Sequence, residues 1–268
     1  MIWYRGQIVA EGEVRVDARD RTFEHGLGLF ETFRTWNGRA SLIGRHRDRM
    51  RRSAEALGLD FDPVELPDEE AVRLLRGEDS GDLRLRIVMS GGFEGRSTVW
   101  MTAGPLPPTS RIGGARIDRN RFADPDDPLA RHKTLNYWRQ RIEQERAAAE
   151  GADEVLTVTP DGRICEGLRS NLFLVREGRL VTPTTDLPIL PGVMRQAVID
   201  RARAVGIDVV EGTIRIEEIA DFKEAFLTNS VRGMLPVNRL LGTEFPAPGI
   251  LAARLWDQVR GWLESSSL

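Results

Sequence analysis

Read for the spacing of apolar and polar positions, the chain begins with short extended pieces at residues 2–10 and 13–17 around a turn at Glu11-Gly12, followed by a strand from Gly28 to Trp36. Asn37-Gly38 is a hairpin signal, because both residues tolerate positive φ. Ser41 can cap a helix over 42–58, in which Leu42, Ile43, Met50, Ala54 and Leu57 fall mostly on one stripe. The other face of that helix holds Arg45, Arg47, Arg49, Arg51 and Arg52. Pro67-Asp68-Glu69-Glu70 opens a second helix, with proline in the first turn and acids that complement the helix dipole. Strands Leu83 to Ser90 and Ser97 to Ala103 follow, separated by Gly91-Gly92. This segment therefore reads as antiparallel strands with two helices.

From Gly104 to Pro128 the chain is rich in Pro, Gly and Asp and weakly periodic, which predicts a domain boundary there. The expected division is a small N-terminal α/β domain at 1–115, a linker at 116–128 and a larger C-terminal domain at 129–268. In that last part the pattern predicts a helix at 134–149, a strand from Glu154 to Thr159, a Pro160-Asp161-Gly162 turn and extended pieces through Leu174, with Glu177-Gly178 as a further turn. Leu190-Pro191-Gly192 opens a helix near 192–205, followed by a strand at 208–215, a short helix at 216–221, a strand from Glu224 to Thr228 and a last helix over 248–264. There is no repeat and no low-complexity tract apart from a short Ser tail.

With 268 residues, 41% hydrophobic and 29% charged, the chain can bury a substantial core. A net charge of -3 supplies no global field toward nucleic acid or an anionic membrane, which leaves a small molecule as the expected partner. Cys165 is the only cysteine, so neither an intramolecular disulfide nor a cysteine metal cluster can form. No segment approaches the ~20 apolar residues of a membrane span, and the N-terminus has no leader pattern; a cytoplasmic protein is expected. The 38 basic residues include only two lysines, Lys133 and Lys223. Arginine cannot form a Schiff base and lysine can, so codon bias toward Arg still leaves only these two amines to weigh.

Several residues are candidates for chemistry, each beside a plainer reading. Leu190 through Arg195 puts a glycine turn at a helix start, where free backbone N–H groups favour an anion, although many structural helices start this way. Arg49 could be a second phosphate ligand, or one of a solvated row of arginines. Lys133 lies in Arg131-His132-Lys133-Thr134-Leu135-Asn136-Tyr137, at the mouth of a helix. Glu166 sits in an otherwise apolar run and needs a cationic or hydrogen-bonding partner, for which structural pairing with an Arg suffices. Arg84 and Arg86 alternate on one strand and share a face; one could meet a substrate carboxylate, or both could be surface residues. For His25, His46 and His132, packing or hydrogen bonding is favoured over proton transfer.

Six motifs, in order, resemble the fold-type IV pyridoxal 5'-phosphate (PLP) enzymes, which include branched-chain and D-amino-acid aminotransferases and 4-amino-4-deoxychorismate lyases. They are Gly26 through Thr32, His46-Arg47-Asp48-Arg49, Lys133 through Tyr137, Glu166 through Phe173, Leu190 through Arg195, and Thr228-Asn229-Ser230 with Leu235-Pro236-Val237. The resemblance runs from about Ile2 to Leu240. It implies a two-domain α/β (α+β) enzyme like D-amino-acid aminotransferase, with the C-terminal domain binding PLP in the interdomain cleft of a homodimer. It further implies that Lys133 carries the cofactor and moves the substrate proton, that Glu166 pairs with the pyridine nitrogen, and that Arg49 and the N–H groups of Val193 and Met194 hold the phosphate. Tyr137 would reach the phenolic oxygen and Leu190 would pack on the ring. Ser230 and Val231 would contact phosphate or substrate carboxylate, with Phe30 and Arg86 on the substrate side.

Two positions depart from the pattern: Leu27, where members often have Asp between the glycines, and Met194, where many aminotransferases have Thr. The lyase branch tolerates both. Gly28 through Arg34, Gly192 through Gln196 and Thr228 through Val237 also look more like the lyases. The resemblance therefore favours aminodeoxychorismate lyase, which forms 4-aminobenzoate and pyruvate, over an amino-acid aminotransferase. A PLP carrier without turnover is a third reading, against which intact Lys133 and Glu166 argue, since binding alone needs no electron sink.

Overall fold

The computed structural model describes residues 1–77, 81–108, 115–117 and 119–265. Part of the expected boundary stretch, at 109–114 and 118, and the Ser tail beyond residue 265 lie outside the described residues. The chain divides into two compact units: one comprises Met1–Pro107, His132–Asn136 and Leu263–Leu268, the other Pro108–Arg131 and Tyr137–Trp262.

The first unit contains β1 (Ile2–Tyr4), β2 (Gln7–Val9), α1 (Arg21–His25), β3 (Gly28–Arg34), α2 (Ile43–Ala56), α3 (Glu69–Arg76), β4 (Leu83–Ser90) and β5 (Val99–Pro105). Its sheet has the order β2-β1-β5-β4-β3, antiparallel at each pairing. The period of two decides which face is buried: Leu29 and Phe33 of β3, with Leu85, Ile87 and Met89 of β4, pack against Ile43, Met50 and Ala54 of α2. Glu31 alternates in step with Leu29 and Phe33, which sends a carboxylate into the same buried layer. Gly28 is required by the backbone: at φ 133 a Cβ would stand 2.6 Å from the Met89 carbonyl oxygen.

The expected hairpin at Asn37-Gly38 forms, with φ of 50 and 76 and a Trp36–Arg39 bridge. At the N-terminus the turn lies at Arg5-Gly6, whose φ values are 50 and 86, and Glu11–Glu13 is a 3-10 turn rather than a hairpin corner. Residues 13–17 accordingly carry no strand beyond it.

The second unit contains β6 (Ala115–Ile117), β7 (Arg119–Phe122), α4 (Trp138–Ala149), β8 (Val155–Val158), β9 (Ile164–Gly167), β10 (Asn171–Arg176), β11 (Arg179–Pro183), α5 (Val193–Ala204), β12 (Val209–Gly212), β13 (Glu224–Asn229), β14 (Gly233–Leu240), β15 (Thr243–Glu244) and α6 (Ile250–Ser265). One sheet runs β12-β11-β10-β13-β14-β15 with β6 beside β14, and β7-β8-β9 form another. Their inner faces meet in a core that includes Ile117, Leu156, Val158, Ile164, Leu172, Leu174, Leu227 and Val237. The segment expected as a linker thus supplies strand β7 and the last residues of β6.

The backbone places Lys133 with the first unit, where the sequence pattern had put it with the C-terminal half. Phe30 N–H donates to Lys133 O at 2.9 Å and Leu135 N–H to Gly28 O at 3.0 Å, around an antiparallel Leu29–Thr134 bridge. Residues 133–135 therefore continue the sheet past the open edge of β3.

Candidate active site

In the first unit, pairing with β3 sets Lys133 opposite Phe30, and its Nζ lies 4.5 Å from the centroid of the Phe30 ring. Arg86, on the neighbouring strand, brings its Cζ to 3.9 Å from the same centroid, and its Nη1 donates to Thr32 Oγ1 at 3.5 Å. A cation over an aromatic face is worth about 0.5–2 kcal/mol, so the Phe30 ring helps to seat both groups. His132 anchors the segment to α2, with Nδ1 2.9 Å from Ser53 Oγ. Lys133 is half-buried, whereas Lys223, the other amine, is exposed. Arg84 is also exposed, so of the two alternating arginines Arg86 is the one held against Phe30.

Arg49 does not belong to a solvated row. It is buried at 6% exposure, and its Nε and Nη2 donate to the two oxygens of Glu31 at 2.7 and 2.6 Å. His46 Nδ1 lies 2.7 Å from Glu31 Oε2, and the imidazole stacks on Phe33. The physical reason is Glu31, a carboxylate on the core face of β3 that would be costly to bury without the Arg49 cation and the His46 donor one layer away on α2. Burial favours the neutral form of His46, holding its pKa below the ordinary value. A neutral ring that donates from Nδ1 to Glu31 leaves a lone pair on Nε2, a buried atom with no hydrogen-bond partner. Sequence reasoning missed Glu31 and the pairing role of His46. The available signal was an acid in register with apolar residues on one strand face.

In the second unit, β9 and β10 present Glu166 and Asn171 to the loop that precedes α5. Leu190 N–H donates to Glu166 Oε1 at 3.1 Å, and Asn171 Nδ2 donates to Glu166 Oε2 at 2.9 Å and to Leu190 O at 3.0 Å. The partners expected for Glu166 thus include an amide and a backbone N–H. The neighbouring Cys165 thiol is pushed up to about 12, first by burial and then by the Glu166 carboxylate, which makes it a poor nucleophile.

Gly192 precedes α5 and no side chain caps that helix, while the side chains of Val193 and Met194 are buried at 5% and 1% exposure. After β13, Asn229 Oδ1 accepts from Val231 N–H at 3.0 Å and Arg232 N–H at 2.8 Å, which shapes the turn carrying Ser230 and Val231. Thr228, paired across strands with Asn171, has a buried hydroxyl without a partner. Tyr137 is half-buried and sits immediately before α4.

A family model described as Amino-transferase class IV matches residues 28–240. The chain belongs to this family. Among curated relatives, a Mycobacterium tuberculosis protein named "Bifunctional aminodeoxychorismate lyase / D-amino acid transaminase" is 31% identical over 267 residues, covering 90% of this chain and 91% of the relative. A Thermotoga maritima protein named "Probable branched-chain-amino-acid aminotransferase" is 30% identical, covering 96% and 94%. Among solved structures, one described as "A hypothetical aminotransferase from Mycobacterium tuberculosis, PLP-bound form" superposes with a TM-score of 0.86 at 26% identity, covering 99% of each chain.

As a class-IV aminotransferase family member, the chain is a PLP-dependent enzyme with the mixed helix and strand fold of the fold-type IV proteins. Its residues fit that cofactor. The uncapped start of α5 and the unpartnered Thr228 hydroxyl suit a phosphate, and the half-buried Glu166 suits a ring nitrogen. Among the described residues no helix is long and apolar enough to cross a membrane.

Proposed function

We propose that this class-IV enzyme is an aminodeoxychorismate lyase, releasing pyruvate and leaving 4-aminobenzoate. The observation that carries the choice is Met194. It is buried in the first turn of α5, so a thioether stands where many aminotransferases of the family present a Thr hydroxyl. The bifunctional relative adds support. An amino-acid aminotransferase is the second reading, favoured by the Thermotoga maritima relative. In either case a cytoplasmic homodimer acting on a small amino-bearing substrate fits.

In both readings PLP supplies an aldehyde that takes up an amine and a protonated ring that accepts an electron pair. Lys133 Nζ would hold the cofactor through its aldehyde and, once freed, would remove the proton from the substrate carbon that bears the amine. Glu166 would face the ring nitrogen and hold a proton there. The Val193 and Met194 N–H groups and the Ser230 hydroxyl would hold the phosphate, and Arg49 is carried over from the family resemblance as a further ligand. Leu190 would pack on the ring and Tyr137 would reach its phenolic oxygen. Phe30, Arg86 and Val231 face the substrate. In a lyase, loss of that substrate proton would let the adjacent carbon–oxygen bond break, releasing enolpyruvate that takes up a proton to become pyruvate, and formation of the aromatic ring would draw the reaction forward. In an aminotransferase Lys133 would instead pass the proton on to the cofactor side, with no carbon–oxygen bond broken.

The deciding assay incubates the PLP-loaded protein with aminodeoxychorismate, or with an amino acid plus 2-oxoglutarate. Formation of 4-aminobenzoate and pyruvate supports the lyase. A new keto acid with glutamate, and no 4-aminobenzoate, overturns it in favour of the aminotransferase.

A further inference from the structure

The amide of Asn171 closes a ring of three hydrogen bonds. It donates to Glu166 Oε2 at 2.9 Å and to Leu190 O at 3.0 Å, while Leu190 N–H donates to Glu166 Oε1 at 3.1 Å. Both oxygens of Glu166 are thereby held by donors from two directions, which fixes the carboxylate plane and favours its ionised form. The position of Asn171 is itself fixed. The residue is 5% exposed at the start of β10, opposite Thr228 of β13. It also packs so closely on the residue before α5 that a Cβ at position 192 would stand 1.9 Å from Asn171 Oδ1. Only glycine is tolerated there while Asn171 keeps this place. One side chain thus joins the acid of β9, the Leu190 loop and the glycine that precedes α5.

We infer that Asn171 is a positioning residue that orients Glu166 toward the pyridine nitrogen and keeps it ionised, so that the shared proton resides on the ring rather than on the acid. This inference rests on the reading of Glu166 as the partner of that nitrogen. Without the amide, Glu166 Oε2 loses the donor that fixes it opposite the Leu190 N–H, and the carboxylate becomes the better base. The proton then shifts toward the carboxylate, and the ring nitrogen loses its charged partner.

The test uses cofactor affinity, so no substrate is required. Dissociation constants of PLP and of 1-deaza-PLP, which has carbon in place of the ring nitrogen, are measured by absorbance titration on apoprotein. The variants are Asn171→Ala, Asn171→Leu, Glu166→Gln and the double variant Glu166→Gln/Asn171→Ala. The ratio of the two constants isolates the contribution of the ring nitrogen. A hydrogen bond to a charged group is worth about 1.5–3 kcal/mol, so Asn171→Ala should reduce the preference for PLP by roughly tenfold or more and leave 1-deaza-PLP within about twofold of wild type. Asn171→Leu keeps the branched shape and should give the same loss. The double variant should fall no further than Glu166→Gln alone.

If both ligands weaken equally in the Asn171 variants, the residue merely holds the fold and the inference is overturned. It is overturned as well if the single losses multiply in the double variant. A normal preference for PLP in Glu166→Gln would instead remove the reading of Glu166, and the role of Asn171 with it.

Discussion

Replacing Glu31 by Gln removes the anion from the buried cluster beneath β3 and leaves the Arg49 guanidinium facing a neutral amide. Burial pushes the Glu31 carboxyl up, but the charge of Arg49 and the hydrogen bonds from His46 and Arg49 outweigh it and bring the group from its ordinary 4.5 to about 2. At about 1.36 kcal/mol per pKa unit, this fall corresponds to roughly 3 kcal/mol of folding stability at neutral pH. The sign follows from the depressed folded value. The contribution is complete above 4.5, where the unfolded side chain is ionised, and it is lost as the pH falls toward about 2. Removing one partner of a buried ion pair costs about 3–5 kcal/mol in comparable cases, so the two routes agree in size. At about 2–4 °C per kcal/mol for a chain of this length, a loss of about 3–5 kcal/mol should lower the melting temperature of the apoprotein by roughly 6–20 °C at neutral pH. Scanning calorimetry of wild type and Glu31→Gln, at neutral pH and again in acid, measures this. The gap should narrow on acidification. A variant that melts within about 2 °C of wild type at neutral pH, or a gap that widens in acid, would refute the reasoning.

Other perturbations test other parts of the account. Glu166→Gln should lower turnover by about 10–100-fold, the worth of a charge-assisted hydrogen bond, with a smaller change in cofactor retention measured by gel filtration; unchanged turnover would remove Glu166 from the site. Burial raises the pKa of Glu154, so the folded state binds its proton more readily than the unfolded state, and this group's contribution to stability declines as pH rises above 4.5. Glu154→Gln keeps an acceptor for the Ser170 hydroxyl, now 2.9 Å from Oε2, and should leave the melting temperature at mildly alkaline pH equal to or a few degrees above wild type; a clear drop there would show that the charge is needed. Phe30→Leu removes the ring that seats Arg86 and Lys133 and should raise KM several-fold with less effect on kcat, in whichever reaction the product assay identifies.

The elements easiest to read from the sequence were those whose own period or turn chemistry dictates them. β4 matches its alternation from Leu83 to Ser90, and the Asn37-Gly38 hairpin follows from two residues that accept positive φ. The elements that were not legible owe their existence to partners elsewhere. α1 has only five residues, too few for a helical period, and is capped by Asp20. β14 contains Pro236, which argues against a strand locally, yet its first half, Gly233–Pro236, pairs with β13 and its second half with β6 and β15. β6 and β7 lie in a stretch whose Pro, Gly and Asp content reads as irregular, and they become strands by pairing with β14 and β8.

The candidate site divides in the same way. Lys133 stands out by rarity, Glu166 by its polar break in an apolar run, and the α5 start by its glycine. Arg49 looked like one of five arginines on a solvated face, because its burial depends on Glu31, 18 positions earlier, meeting it across the layer between β3 and α2. The place of Lys133 beside Phe30 likewise depends on backbone pairing over a sequence distance that no local pattern reports.

The central claim is that Lys133 is the amine that carries the cofactor. Borohydride reduction of the PLP-loaded protein, followed by proteolysis and mass spectrometry, tests it directly, since the chain offers only two lysines. The account predicts the pyridoxyl group on the peptide containing Lys133 and none on the peptide containing Lys223. Labelling of Lys223 alone, or an unlabelled Lys133 in protein shown to be saturated with PLP, would contradict it.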